Sequence, residues 1–577
     1  MKKIISLLLT LVMIFGSLLT LVSCGAPDDD GAEINIYLGY EVFDFDPSDY
    51  YVSDAAEQVL SLLYEPLFKL KKNGKLQCAA ADDYDVDEDE RKIVITLRET
   101  YWSDNIKVKA SDYVYAWCNR IINASNPNPA AALFYEIEGV KEVMNGEGSI
   151  YDVGIKATEM DQITITYCEG ADYERILKNL ASVATSPVRQ DIVESGETYW
   201  SKYTAVTNGA FKIKSYDSYD EDKSAGTFEL TRNIGYHQDP TTTDYDDEVR
   251  PGMLYGEFTI PGSDISVSYE DIEDKVVFVM AEASLADRKE YEDEAYTADR
   301  TSTYTYVFNT NNPLFADANV RLALSTVIDR DDIIDLITFG HAASGFLPEI
   351  CGGDEDGIIS TSGNYDKAME YLAKADLTGI SKSFTLTIDG DEQSVEIAKL
   401  VETAWESLGF DVTVAVAEPV QNSVPDGTIY DSGIQYLVKD ASYGIYNYDV
   451  IAVDWQMYSR DGAVGLLSLT SNLNGMGTDY ASKRENIAGW SDSHYDALVA
   501  EAIACEDEDD REDKLAEAEE YLMSQMPVCP LVFNQTFEFE SSKIRKLRFD
   551  GLGNIVMTNV KLRDYDEYLK PEDEDEE

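Results

Sequence analysis

Apolar residues fall on alternate positions from Lys92 to Leu97, with Ile93, Ile95 and Leu97 on one face. That spacing is the mark of a half-buried strand. Phe384 to Ile388 alternates in the same way. Elsewhere the period lengthens. Val320, Ala323, Leu324, Val327 and Ile328 recur at helical spacing, and Asp331 to Leu336 extends that helix or begins another. Ile397, Leu400, Val401, Ala404, Trp405 and Leu408 mark a second helix, with Gly409 placed to stop it. A strand over Phe410 to Val416 follows at once. Strand, helix, strand is a βαβ unit. The pattern predicts an α/β protein with a largely parallel sheet covered by helices.

One stretch breaks its own pattern. Tyr448 to Gly465, YDVIAVDWQMYSRDGAVG, opens as a buried strand through Val450, Ile451, Ala452 and Val453. Asp454, Trp455, Tyr458, Arg460 and Asp461 then crowd together. Acids and large aromatics at the end of a core strand suit a binding wall, because aromatic faces offer area at low entropy cost and can hold a cation. They equally suit packing and turn capping.

The first residues read differently again. Lys2 and Lys3 precede an apolar run, Ile4 to Val22, that ends in Leu21-Val22-Ser23-Cys24. This resembles a bacterial lipobox. Residues 1–23 are read as a signal peptide, Cys24 as the lipidated first residue and 24–32 as a tether. Two acyl chains on Cys24 would anchor the protein to the outer face of the cytoplasmic membrane. At the other end, 566–577 is an acidic tail.

Composition removes several functions. The 577 residues carry 46 Lys+Arg against 110 Asp+Glu, a formal charge of −64. Such a surface repels phosphate backbones, so no nucleic-acid partner is expected. His237, His341 and His494 are far apart, so neither a zinc site nor any other metal is expected. Asp85 to Asp89 has calcium-loop acids, but Glu90 stands where the sharp-turn glycine belongs, so it reads as a solvated loop. No nucleophile elbow or phosphate-binding loop is present, so neither an enzyme nor a cofactor is expected. Cys78, Cys118, Cys168, Cys351, Cys505 and Cys529 are scattered and are expected to be mostly free, buried thiols.

Four ordered stretches carry a resemblance. In LLYEPLFKLKKNGKLQCAAADDYDVDEDERKIVITLRETYWSDNIKVKASDYVYAWCNRI the matching residues are Tyr64, Glu65, Leu67, Gly74, Ala80, Leu97, Arg98, Trp102, Ser103, Asp104, Ala110, Asp112 and Arg120. TNGAFKIKSY, YVFNTNNPLFADANVRLALSTVIDRDDII and YDALVAEAIACEDEDDREDKLAEAEEYLMSQMPVCPLVF follow in order. Together they resemble the oligopeptide- and dipeptide-binding lipoproteins of ABC importers, extracellular solute-binding protein family 5, from about Ile34 to about Asn559.

The resemblance implies a two-lobed, periplasmic-binding-protein-like (type II) clam-shell with an extra subdomain on the first lobe. The first lobe would span 33–308 with the subdomain at 54–185, the second lobe 309–530, and 531–565 would return to the first. It implies a monomer that binds peptide in the cleft and hands it to an ABC permease. In the family, a tryptophan and an acid at the end of a second-lobe strand face the peptide, and an Asp three residues after the tryptophan holds its ammonium. Trp455 matches the tryptophan and Asp449 the acid six residues before it. Tyr458 stands at the ammonium position, so Asp454 or Asp461 would take that role, with Asp461 slightly favoured, or the ligand is no ordinary free peptide. Rival readings are an oligosaccharide or chelate as ligand, or a sensory peptide-binding lipoprotein that transports nothing. Gln421 to Tyr448 reads equally as a ligand-covering loop or as surface decoration.

Overall fold

The computed structural model describes residues 33–562 apart from 41–44, 49–53, 123–127, 145, 196–199, 202–203, 221–224, 238–251, 260–267, 271–276, 425–426, 472–485 and 559. Cys24, the tether and the tail lie outside the described residues.

Eleven strands form one sheet: β1 (Glu33–Tyr40), β2 (Phe211–Asp220), β3 (Ala225–Arg232), β4 (Met253–Thr259), β5 (Phe278–Met280), β6 (Tyr296–Phe308), β7 (His341–Ala342), β8 (Ser383–Ile388), β9 (Asp411–Val416), β10 (Val450–Gln456) and β11 (Val528–Glu540). Their order is β9-β8-β10-β6-β11-β5-β1-β4-β3-β2, with β7 on β11. The fold is α/β and two-lobed, and two long strands stand in the middle of this order. β6 and β11 are 13 residues each and run antiparallel. Residues 296–299 and 535–538 pair at one end, 303–307 and 528–533 at the other, with an irregularity between. β10 joins β6 at its Ser302–Phe308 end, while β5 joins β11 at Phe539 and Glu540.

The expected βαβ unit is present. β8 and β9 are parallel, and Glu392–Ser407 lies between them in sequence. Its Trp405 is fully buried and donates Nε1–H to the Leu324 carbonyl at 2.8 Å. Arg330–Ile337 is a helix of its own, separate from Ala318–Thr326. The expectation of a largely parallel sheet needs correction. β1 pairs in parallel with β4 and β5, and β8 with β9 and β10, while the other pairings are antiparallel. β2 and β3 follow each other too closely for a helical crossover, and the two long strands run in opposite directions.

A second, four-stranded antiparallel sheet stands apart, in the order Ala81–Asp87, Lys92–Leu97, Gln162–Thr166, Ile155–Glu159. Asp85 and Asp87, read as part of a loop, are exposed positions of its first strand, and the turn begins only at Glu88. Gln421 to Tyr448 contains a hairpin, Val420–Val424 with Gly427–Asp431, and a helix, Gly433–Ser442. The second hairpin strand lies against β2, the far edge of the large sheet.

Many residues of the four matching stretches hold this scaffold. Trp102 donates to the Asp112 carboxylate, which also accepts from the Lys109 amide. Arg98 donates to the Ala79 and Ala81 carbonyls. Arg321 donates to the carbonyls of Gln525, Met526 and Phe315, and Arg330 to that of Pro530. Each guanidinium satisfies several buried carbonyls at once, a task a single-donor side chain cannot do.

Candidate ligand site

β10 is a central strand, paired on its two edges by β8 and β6, and residues of both its faces are buried, which is why its apolar run is continuous. Asp449 fixes its start. One carboxylate oxygen accepts from Asn312 Nδ2 at 2.8 Å and the other from the Thr385 amide at 3.0 Å. Trp455 lies opposite Thr303 and Asp454 opposite Tyr304, so the two side chains point to opposite faces of the sheet. Trp455 is buried, packs edge-on against Phe346 at 5.7 Å and donates Nε1–H to Ser468 Oγ at 2.9 Å. Asp454 is half-buried and accepts from Asn534 Nδ2 at 2.7 Å. Asn534 also donates to Ser302 Oγ, so the acid is tied to both long strands.

After Gln456 the chain turns sharply. Met457 still donates its amide to the Thr301 carbonyl, and Tyr458 then takes φ +58°. A left-handed conformation in a large non-glycine residue costs about 1–2 kcal/mol and persists only where the surroundings impose it. Asp461 ends the turn as the N-cap of helix Gly462–Leu467, accepting from the Ala463 amide at 3.1 Å. Between them, Ser459 Oγ donates to Asn179 Oδ1, and Arg460 Nε to the Gly551 carbonyl at 2.6 Å.

Asp461 does more than cap. Oδ1 accepts from Arg511 Nη2 at 2.6 Å and Oδ2 from the Tyr135 hydroxyl at 2.8 Å. Burial pushes its pKa up, but Arg511, and Arg175 behind it, outweigh burial and hold the carboxyl below its ordinary value. The structure thus brings Asp454, Trp455, Tyr458 and Asp461 onto one strand end and turn. It commits Asp461 to a buried ion pair and sends Asp454 to the opposite face from Trp455. Arg511 and Tyr135 were not singled out from the sequence. Arg511 left a faint signal, as an arginine within the strongly acidic Glu508–Gln525 helix.

Among the described residues no group of three or more His, Cys, Asp or Glu side chains could hold a metal ion, and no helix is long and apolar enough to cross a membrane. The six described cysteines are free, with Cys118, Cys351 and Cys529 buried and the others half-buried.

Comparison with known proteins places this geometry. The profile of bacterial extracellular solute-binding proteins, family 5 Middle, matches residues 75–475. The dipeptide-binding protein DppE of Bacillus subtilis is 24% identical over 517 residues, 86% of this chain and 86% of its own length. Haemophilus influenzae OppA in complex with the peptide RPPGFSPFR superposes with a TM-score of 0.72 at 21% identity, covering 92% of this chain and 99% of that one. The Escherichia coli murein tripeptide binding protein MppA superposes at 0.74 and 21% identity, covering 92% and 98%, whereas its unliganded open form reaches 0.52 at 20% identity, covering 92% and 97%. The profile spans more than two thirds of the sequence, and the chain belongs to the family 5 bacterial extracellular solute-binding proteins, whose relatives include the dipeptide- and oligopeptide-binding proteins named here.

Proposed function

We propose that this protein captures peptides between its lobes and delivers them to an ABC permease while tethered by lipid on Cys24 to the outer face of the cytoplasmic membrane. The observation that carries the reading is membership of the family 5 solute-binding proteins, with dipeptide- and oligopeptide-binding relatives that match most of the chain. Lobe one comprises 33–308 and 531–565, with 54–185 as its subdomain, and lobe two comprises 309–530. An extended peptide would pair its main chain with the protein backbone, which makes recognition tolerant of side chains. The protein would act as a monomeric receptor without catalysis.

Trp455 and Tyr458 are assigned to the ligand wall. Asp461 was the slightly favoured partner for a peptide ammonium, but Arg511 now neutralises it. Asp454 is then the remaining acid of the cluster for that role, from the other face of β10 than Trp455. Loss of one partner of a buried charge-assisted contact costs about 2–5 kcal/mol.

Mass spectrometry of ligand co-purified from the native host identifies the solute class, and a peptide mixture is expected. Calorimetry with one such peptide and its N-acetylated form then tests the end-group. Wild type should prefer the free amine, and Asp454→Asn should abolish the preference. Equal binding of both forms by wild type would remove the ammonium contact and favour a ligand without a free amine, as Tyr458 at the family's Asp position already hints. For the anchor, Cys24→Ala should abolish lipid labelling and membrane retention. A variant that matures and fractionates like wild type would sink that assignment.

A further inference from the structure

One segment supports the proposed ligand wall along its length. Phe346 packs its ring on Trp455, and its carbonyl accepts from Thr303 Oγ1 at 2.9 Å, which ties it to β6 as well. Leu347 fills the space that two glycines leave beyond the turn: a Cβ on Gly462 or Gly465 would come within 2.9 or 2.8 Å of it. Cys351 donates its thiol to the Ser459 carbonyl at 3.3 Å. Three residues of 346–351 therefore touch 455–465.

This segment is itself fastened by a single carboxylate. Glu519, on helix Glu508–Gln525, is 1% exposed and takes the amides of Phe346 and Leu347 on one oxygen, Oε1, at 2.7 and 2.8 Å. The approach is close enough to call for glycine just before them: a Cβ on Gly345 would lie 2.6 Å from that same oxygen. Buried amides are costly to leave without an acceptor, so the segment sits where the carboxylate puts it.

We propose that Glu519 is a positioning residue for the ligand wall: by holding 346–347 it fixes Phe346 against Trp455, and its ionised form favours the indole placement that binds ligand. The proposal rests on the reading that Trp455 lines the ligand wall. Residues 345–351, 455–468 and Glu519 all fall within the proposed second lobe, so the effect does not depend on how far the lobes have closed. Burial pushes the Glu519 carboxyl up to about 7, while the two amides pull it back down and Asp354 adds to the rise. Ionisation and the two amide bonds therefore favour each other. A carboxylate accepts both strongly, whereas a protonated acid loses part of that capacity and carries a hydrogen that needs an acceptor of its own. The other titratable groups facing Glu519 are the Cys351 thiol and the Tyr495 hydroxyl, which burial pushes above their ordinary values, so neither changes charge near neutrality. Ligand that needs the fixed indole must favour ionised Glu519, and by reciprocity its affinity rises as pH rises through about 7.

Fluorine NMR tests this on the full-length chain, labelled with 5-fluorotryptophan and stripped of ligand by unfolding and refolding. The Trp455 signal is assigned by its loss in Trp455→Phe. In wild type it should move with pH in one titration centred at about 7. In Glu519→Gln, which is neutral at every pH, it should stay at its low-pH position. Calorimetry with a synthetic copy of the most abundant co-purified peptide should give similar affinities for the two proteins at about pH 6, and an advantage of at least about fivefold for wild type at about pH 8. Charges on the peptide itself cancel in that ratio. A Trp455 signal that does not titrate, or titrates alike in both proteins, overturns the proposal. A signal that titrates as expected while the affinity ratio stays constant removes Trp455 from the ligand wall instead, and leaves Glu519 a support with no part in binding. If Glu519→Gln fails to fold, Gly345→Ala, whose methyl displaces the carboxylate, takes its place, and a Trp455 signal that titrates there as in wild type overturns the proposal equally.

Discussion

At the scale of single residues, a buried charge can be held by close partners, and Glu65 shows how strongly. It is 1% exposed and bonds Lys69, His237 and the Tyr236 hydroxyl. Burial alone would raise its pKa, but Lys69 and His237 outweigh burial and bring it to about 2, against an ordinary 4.5. A carboxyl depressed in the folded state stabilises above its unfolded pKa, and that stability is lost as pH falls through the folded value. Glu65→Gln should therefore cost about 3 kcal/mol near neutral pH and much less near pH 2. Chemical denaturation of both proteins at the two pH values checks this, and an equal loss at both would refute the ion-pair account. Tyr458 is the complementary case, a residue whose cost is conformational. Tyr458→Gly removes a left-handed strain of about 1–2 kcal/mol while deleting a proposed ligand-wall ring. Thermal stability should still fall, because losing a buried ring costs about 3–5 kcal/mol, more than the strain relieved, and affinity for the co-purified peptide should fall with it. A variant that binds as wild type would take Tyr458 off the wall.

At the scale of elements, what could be read in advance was whatever repeats locally. Ile93, Ile95 and Leu97 announced a strand because one face of it is buried. Ile397, Val401 and Trp405 announced a helix because they form its buried stripe. Trp405 sits among Tyr306, Phe308, Phe384 and the Leu324 carbonyl, so Trp405→Ala should cost about 3–5 kcal/mol. A urea midpoint within error of wild type would mean the site collapses around the missing ring. What could not be read has no period. Asp461 meets Tyr135 across 326 residues and Arg511 across 50, and no spacing rule links them. The sign of Asp461's charge was legible, but its partner was not, so a carboxylate that looked ready for a ligand proved to be satisfied within the protein. The strand directions failed for a related reason. β2 and β3 form a hairpin whose polar face carries little periodic signal, and the βαβ rule was carried past the region that earned it.

At the scale of the whole molecule, the excess of acids sets a different balance from the buried pairs. The described ion pairs Asp461–Arg511, Glu136–Arg175 and Glu65–Lys69 are largely buried, where salt screens them weakly. The 110 acids against 46 bases leave most carboxylates without a basic partner, and these must repel one another across the surface. Repulsion between exposed charges reaches about 30 Å at 0.01 M salt and about 8 Å at 0.15 M. A compact molecule holds its charges closer together than an unfolded chain does, so screening favours the folded state. Sodium chloride added from about 0.01 M to about 0.15 M should therefore raise the thermal midpoint of the full chain, because the repulsion it removes exceeds the attraction it weakens. Calorimetry across that range reads the sign directly. A midpoint that stays flat or falls would mean that surface pairs, not unpaired acids, dominate the electrostatics, and the excess of acid would then have to be read as a property of the unfolded chain as much as of the folded one.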